Sequence, residues 1–161
     1  MKDTIDVHTG QVEAASGKTV LRAPALGSCV AVVAYDSVRK NGAVAHIMLP
    51  GKAPDKAESG EKTKYAADAI EELINKMTVM GSAKEDLKVV VVGGANVLKS
   101  PDDRIAEANV TSNLKVLNDH RLSIVARKLG GTERRSVSID LEKGIITYAH
   151  GDSRDEQLWK G

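Results

Sequence analysis

The runs Val30-Ala-Val-Val-Ala-Tyr35 and Gly42-Ala-Val-Ala-His-Ile-Met-Leu49, joined around Arg39-Lys-Asn-Gly42, decide the fold class. Short stretches rich in β-branched residues read as strands, because such side chains suit a pleated surface. The connection is short enough for a hairpin, so the two runs are expected as antiparallel neighbours. Four further runs read the same way: 88–92, 122–127, 136–140 and 144–149. The last two flank Leu141-Glu-Lys-Gly144, whose glycine suits a positive φ, and a second hairpin is predicted there.

Two segments have helical spacing instead. From Lys62 to Met80 the apolar positions Ala66, Ala69, Ile70, Leu73, Ile74 and Met77 recur at three and four, and Gly81 follows as a stop. From about Asn109 to Asp119, Val110, Leu114 and Leu117 share one face of a second amphipathic helix. The stretch from Gly51 to Glu61, rich in charge, Gly and Pro, is expected to be an exposed connection bordering a site. Strands gather at both ends with helices between them, which predicts an α/β sandwich of mainly antiparallel or mixed strands with helices on one face.

Composition excludes several classes of function. With 161 residues and 42% hydrophobic content, the chain is expected to form a single domain over residues 1–161 rather than a disordered or collagen-like one. Lys and Arg number 23 against 22 Asp and Glu, so no whole-molecule field draws in nucleic acid or an anionic membrane. Aromatic residues are 2% of the chain and Phe is absent, leaving little for base or sugar stacking. The single Cys excludes an intramolecular disulfide or a Cys-Cys metal clip and fits a reducing compartment. Asp3 and Asp6 fall where a signal peptide needs apolar residues, and no run of about 18 apolar residues occurs, so a cytoplasmic location without membrane insertion is expected.

Cys29 follows Gly27 and Ser28 where loop gives way to strand, and His46 lies near the end of the next strand. Antiparallel pairing brings the two close. An imidazole beside a thiol favours thiolate, and backbone N–H groups at a Gly-containing turn can hold an oxyanion. A lone Cys is also often a small buried hydrophobe, and a His in an apolar strand is often a core residue. His8, His120 and His150 are scattered and form no metal-ligand spacing with Cys29, so neither metal nor organic cofactor is expected. Val92-Gly-Gly-Ala-Asn96 lacks the phosphate-loop patterns and reads as a tight strand-to-loop turn.

Taken together, Leu26-Gly-Ser-Cys-Val30, Ala45-His-Ile-Met-Leu-Pro50, Lys64-Tyr65-Ala66, Gly93-Gly-Ala95, Asn109 and Gly130-Gly-Thr-Glu-Arg-Arg-Ser-Val137 resemble the CheD family of chemoreceptor glutamine deamidases. The likeness covers about residues 5–150. It implies a layered α-β-β sandwich with two main helices, related in its active site to the cytotoxic necrotizing factor toxins. It also implies Cys29 as nucleophile, His46 as general acid and base, Gly27 and Ser28 at the oxyanion turn, and Lys64, Tyr65 and Asn109 at substrate-binding positions. The implied substrates are glutamines, in some members methyl-esterified glutamates, of chemoreceptor cytoplasmic helices, and the phosphatase CheC is an implied partner.

Three departures stand out. The family Thr six residues before the Cys is Ala23 here, a common Gly is Ala25, and the Ile-Gly-x-Arg-Asn element reads Ile105-Ala-Glu-Ala-Asn109. Ala23 removes a side-chain acceptor for the second imidazole nitrogen, and a rigid backbone carbonyl near Pro24 is the expected substitute. The Cys29 thiol is expected to have a depressed pKa beside His46. Three readings follow: an active glutamine deamidase, a catalytically weakened module that docks receptors or CheC, and an unrelated Cys hydrolase or esterase.

Overall fold

The computed structural model describes residues 2–102 and 104–161. Five strands form one sheet in the order β2 (Val12–Ser16), β5 (Asn41–Ile47), β4 (Val30–Asp36), β6 (Lys88–Gly93) and β7 (Ser123–Leu129). Five more form the second in the order β1 (Asp3–Asp6), β3 (Thr19–Leu26), β8 (Arg135–Asp140), β9 (Ile145–His150) and β10 (Glu156–Lys160). Among the described residues there are three α-helices, α1 (Ser59–Lys62), α2 (Ala66–Val79) and α3 (Ile105–Asp119).

Every residue of β4 and β5 is buried. Val30, Val32 and Ala34, with Ala43, Ala45 and Ile47 opposite, pack against Ala69, Ile70 and Leu73 of α2. The alternate residues Ala31, Val33 and Tyr35, with Val44, pack against Leu21, Ile139 and Ile146 of the second sheet. A strand covered on both faces needs no polar alternation, which is why these runs are apolar throughout. The layers are therefore helix, sheet, sheet, as expected, and both predicted hairpins form: β4 with β5 and β8 with β9 are antiparallel.

Four strands had no clear sequence signal. β1, β2 and β10 are edges with one neighbour each, and their mixed polar composition reflects that half-exposed setting. β3 contains Arg22 and Pro24, which a strand rarely carries. It tolerates them because its pairing with β8 slips between Ala23 and Leu26, where Pro24 has no N–H to offer and Ala25 takes φ 55°.

The helices also differ from expectation in detail. The predicted span from Lys62 to Met80 divides into α1 and α2, because Lys64 turns its carbonyl to the N–H groups of Met48 and Leu49 at 3.0 and 2.8 Å. The same two bonds end β5 at Ile47. α3 starts at Ile105, and its buried stripe is Ala106, Asn109, Asn113 and Leu117; Leu117 is buried as expected, while Val110 and Leu114 are only partly buried. The connection over 51–61 is largely exposed, but it lies on the helix layer, with the Gly51 N–H donating to Ser112 Oγ and the Ala53 N–H to Asp68 Oδ2, both at 2.7 Å. It does not border the Cys29 cleft.

Candidate functional site

The last pair of the β4/β5 ladder is Val30 with Ile47, and Ala31 faces His46 directly. Cys29, two residues before Ala31, projects onto the same face and packs with Ala31 and Val33 against the second sheet. Cys29 and His46 are thus diagonal neighbours on one sheet face. The thiol is partly buried and the imidazole is 3% exposed.

His46 is held by a backbone carbonyl. Its Nδ1 lies 2.8 Å from the oxygen of Val7, in the segment that leads from β1 to β2. A carbonyl only accepts, so Nδ1 carries the proton and Nε2 keeps its lone pair. Nε2 is buried and has no hydrogen-bond partner among the described residues. The segment is itself fixed to β5: the Gly10 N–H donates to the His46 carbonyl at 2.8 Å, and the His46 N–H to the Gln11 carbonyl at 3.0 Å.

Burial disfavours the charged form of both groups. Burial pushes the Cys29 thiol above its ordinary value, with a hydrogen bond from Thr9 pulling the other way. This corrects the expected depressed thiol pKa. Burial likewise lowers the His46 pKa, opposed by the Val7 carbonyl and reinforced by His8, a direction that works against an imidazolium beside a thiolate.

Two glycines shape the other side of Cys29. The Gly94 N–H donates to the Cys29 carbonyl at 2.8 Å, and the Ala95 N–H to the Gly27 carbonyl at 2.8 Å. Gly93 and Gly94 take φ 121° and 66°, and a Cβ on Gly93 would lie 2.3 Å from the Cys29 carbonyl oxygen. Among the described residues, no acceptor takes the N–H of Ser28 or Cys29. Cys29 lines a cleft of ≈ 430 Å³ with Ala25, Gly27, Ser28, Ala95, Val97, Leu98 and Arg134. Leu98 is 81% exposed, and Arg134 is the one charged side chain among these.

Of the residues singled out from sequence, the fold brings together Cys29, His46, Gly27 and Ser28. Ala23 is fully buried on β3, packed in the same core as Val7 and Ala31. The carbonyl that meets His46 belongs to Val7 and not to the Ala23–Pro24 segment. Asn109 is not available to a substrate: it is fully buried, and its Nδ2 donates to the carbonyls of Ser28 and Met48 at 2.9 and 3.0 Å. Lys64 and Tyr65 lie outside the Cys29 cleft. The Lys64 ammonium pairs with Glu61, its stem packs on Gly10, and Tyr65 bridges to Leu49 ahead of α2.

Val7, Thr9 and Leu98 were not identified from sequence, and Arg134 only as part of the run over 130–137. Val7 contributes only a main-chain oxygen, which no residue type announces. The other three sit on loops whose approach to Cys29 depends on long-range pairing.

These features define a layered α/β protein with a thiol and a buried imidazole on one face of its central sheet. Comparison with known proteins gives the class a family. The family described as "CheD chemotactic sensory transduction" matches residues 48–150. A protein of Chlorobium luteolum named "Probable chemoreceptor glutamine deamidase CheD" is 38% identical over 96% of this chain and 77% of its own length. The "Chemoreceptor glutamine deamidase CheD" of Halalkalibacterium halodurans is 34% identical over 88% of this chain and 90% of its own length. A relative of the "probable" designation from Archaeoglobus fulgidus is 32% identical over 99% of both chains. The chain belongs to the CheD family.

Proposed function

We propose that this chain is a glutamine deamidase that converts glutamines on chemoreceptor helices to glutamate, with Cys29 as nucleophile and His46 as general base and acid. Family membership supports the reaction class. The observation that carries the assignment of residues is the buried, unpartnered Nε2 of His46 on the face it shares with Cys29.

As Sγ attacks the side-chain carboxamide carbon, His46 Nε2 takes the thiol proton. The Cys29 N–H holds the oxyanion of the tetrahedral intermediate. The imidazolium then gives its proton to the departing ammonia, leaving a γ-glutamyl thioester. Water, losing its proton to Nε2, attacks the thioester and releases glutamate with the thiol restored. The Val7 carbonyl accepts from Nδ1–H throughout and stabilises the transient imidazolium. A raised thiol pKa fits this order of events, because the proton leaves as the bond forms and not before.

A catalytically weakened docking module is the second reading, favoured by Ala23 and by the burial that raises the thiol pKa. In either case the substrate is a helix laid along the Cys29 cleft, and CheC, where present, competes for the same surface. The proposal includes a single deamidase domain over residues 1–161 and a cytoplasmic location. No helix among the described residues is long and apolar enough to cross a membrane.

The test is incubation with a receptor cytoplasmic fragment followed by mass spectrometry. Each conversion of carboxamide to carboxylate adds about one mass unit, the difference between NH₂ and OH, with release of ammonia. Wild type is expected to show the gain and Cys29→Ala to lose it. A gain that survives in Cys29→Ala, or no gain in either, overturns the assignment.

A further inference from the structure

We infer that Asn109 is a positioning residue of the Cys29 site: its amide staples the point where β4 and β5 part and so sets the peptide plane that aims the Cys29 N–H at the substrate. The inference rests on the deamidase reading and deepens it.

The β4/β5 ladder closes at Val30 and Ile47. Beyond that pair the two chains separate. On one side the Met48 and Leu49 N–H groups turn to the Lys64 carbonyl; on the other the Gly27 and Cys29 carbonyls turn to Ala95 and Gly94. Cys29 would face Met48 at the next register position, yet no backbone hydrogen bond joins them. Asn109 fills the gap from α3, its single amide nitrogen reaching Ser28 O at 2.9 Å and Met48 O at 3.0 Å. The Asn113 amide, one turn on, donates to the Asn109 carbonyl at 2.8 Å.

Peptide planarity carries this grip to the nucleophile. The Ser28 C=O and the Cys29 N–H belong to one trans peptide and point in opposite directions. Holding Ser28 O toward β5 therefore directs the Cys29 N–H toward β6, the side where Gly94 approaches and Ala95, Val97 and Leu98 line the cleft. An antiparallel pair would return a bond from Cys29 N–H to the Gly94 carbonyl. That bond is not formed, and the donor stays free for an oxyanion.

The Asn109 Oδ1 points to the same conclusion. It is buried without a partner, an arrangement that destabilises the fold. An apolar residue of similar size would avoid that penalty. The amide is useful here for its two N–H donors.

Asn109→Leu keeps the volume and removes both donors; Asn109→Asp keeps the shape and offers at most one. Two measurements read the role on purified full-length protein. The first is kcat and KM for ammonia release from the receptor fragment. The second compares two thiol probes: iodoacetamide, which alkylates without an oxyanion, and a peptide carrying the γ-aldehyde analogue of glutamine, whose thiohemiacetal oxygen needs the Cys29 N–H. Expected are a fall in kcat of about a hundredfold with KM held within about threefold, and a loss of aldehyde affinity of about tenfold or more, while iodoacetamide rates stay within about threefold.

Folded variants with unchanged kcat and aldehyde affinity would overturn the inference. So would a parallel fall in both probes, or failure of both variants to fold, since either makes the role purely structural. A wild type that releases no ammonia, yet captures the aldehyde in an Asn109-dependent way, would sink the deamidase reading and leave the positioning role standing.

Discussion

The Val7 carbonyl oxygen lies 2.8 Å from His46 Nδ1 and fixes the imidazole from outside the two strands that bear Cys29 and His46. Ala23, where the family resemblance places a Thr hydroxyl, is instead fully buried in the same core cluster as Val7. Restoring that hydroxyl is therefore expected to bring little. Ala23→Thr should change kcat by less than about threefold. It should also lower the melting temperature, because added atoms in a packed core destabilise by about 1–3 kcal/mol. Steady-state ammonia release and a thermal melt check both; a rise in kcat of about tenfold, or ~1.4 kcal/mol of barrier, would show the ring to be loosely held.

Free-enzyme thiol chemistry should reflect burial. Because burial raises the Cys29 pKa, iodoacetamide labelling is expected to keep rising above pH ~8.5, the ordinary thiol value. Thr9→Val removes the opposing hydrogen bond and should move the inflection higher still. Labelling complete by pH 6 would contradict a neutral resting pair.

The pH dependence of stability follows from His46 with a definite sign. Its folded-state pKa is lowered by burial, so as pH falls through the ordinary value of 6.5 the unfolded chain binds the proton first. Stability is thus lost as pH drops below about 6.5. Urea denaturation at pH 7.5 and 5.5 should show a smaller difference for His46→Gln than for wild type, and equal differences would exclude His46 as a source.

Gly93→Ala should be among the more damaging single changes near the site. The new Cβ would meet the Cys29 carbonyl oxygen at 2.3 Å, with φ at 121°. Strain at positive φ and overpacking together are expected to cost about 2–4 kcal/mol. Denaturant unfolding measures the loss, and any folded fraction should have reduced kcat because the nucleophile's own peptide is displaced.

Substrate docking should depend on the cleft rim. Leu98 is exposed there, and Arg134 has no ion-pair partner among the described residues. Leu98→Asp and Arg134→Glu are each expected to raise KM for a receptor fragment about fivefold to tenfold, or ~1–1.4 kcal/mol, with kcat retained. The Arg134 effect should shrink at high salt. Unchanged KM in both would remove this rim from the interface. Lys52→Glu and Lys56→Glu on the 51–61 connection should leave KM unaltered, since that segment lies on the helix layer.

How far the sequence reached depended on burial. β4 and β5 are covered on both faces and therefore carry long apolar runs, which identify them and their hairpin without reference to any other part of the chain. α2 buries one stripe of Ala66, Ala69, Ile70, Leu73 and Met77, and its period survives in the text. α3 was less legible because two of its four buried positions are asparagines, so the face it turns inward does not look apolar. The edge strands β1, β2 and β10 were least legible, having one neighbour and one exposed side, whereas the edge strand β7 keeps a legible β-branched run.

Within the site, local sequence determined that a thiol and an imidazole sit near the ends of adjacent antiparallel strands. Their protonation and surroundings came from elsewhere in the chain. Val7 and Thr9 reach the pair only after β1 joins β3 in one sheet and β2 joins β5 in the other. Asn109 reaches Ser28 only when α3 packs over the end of β4. Hydrogen bonds to main-chain oxygens leave no trace in residue identity, and desolvation is a property of everything packed around a group. For that reason the sequence located Cys29 and His46, while only the tertiary structure decided which way burial shifts their pKa values and which carbonyl holds the ring.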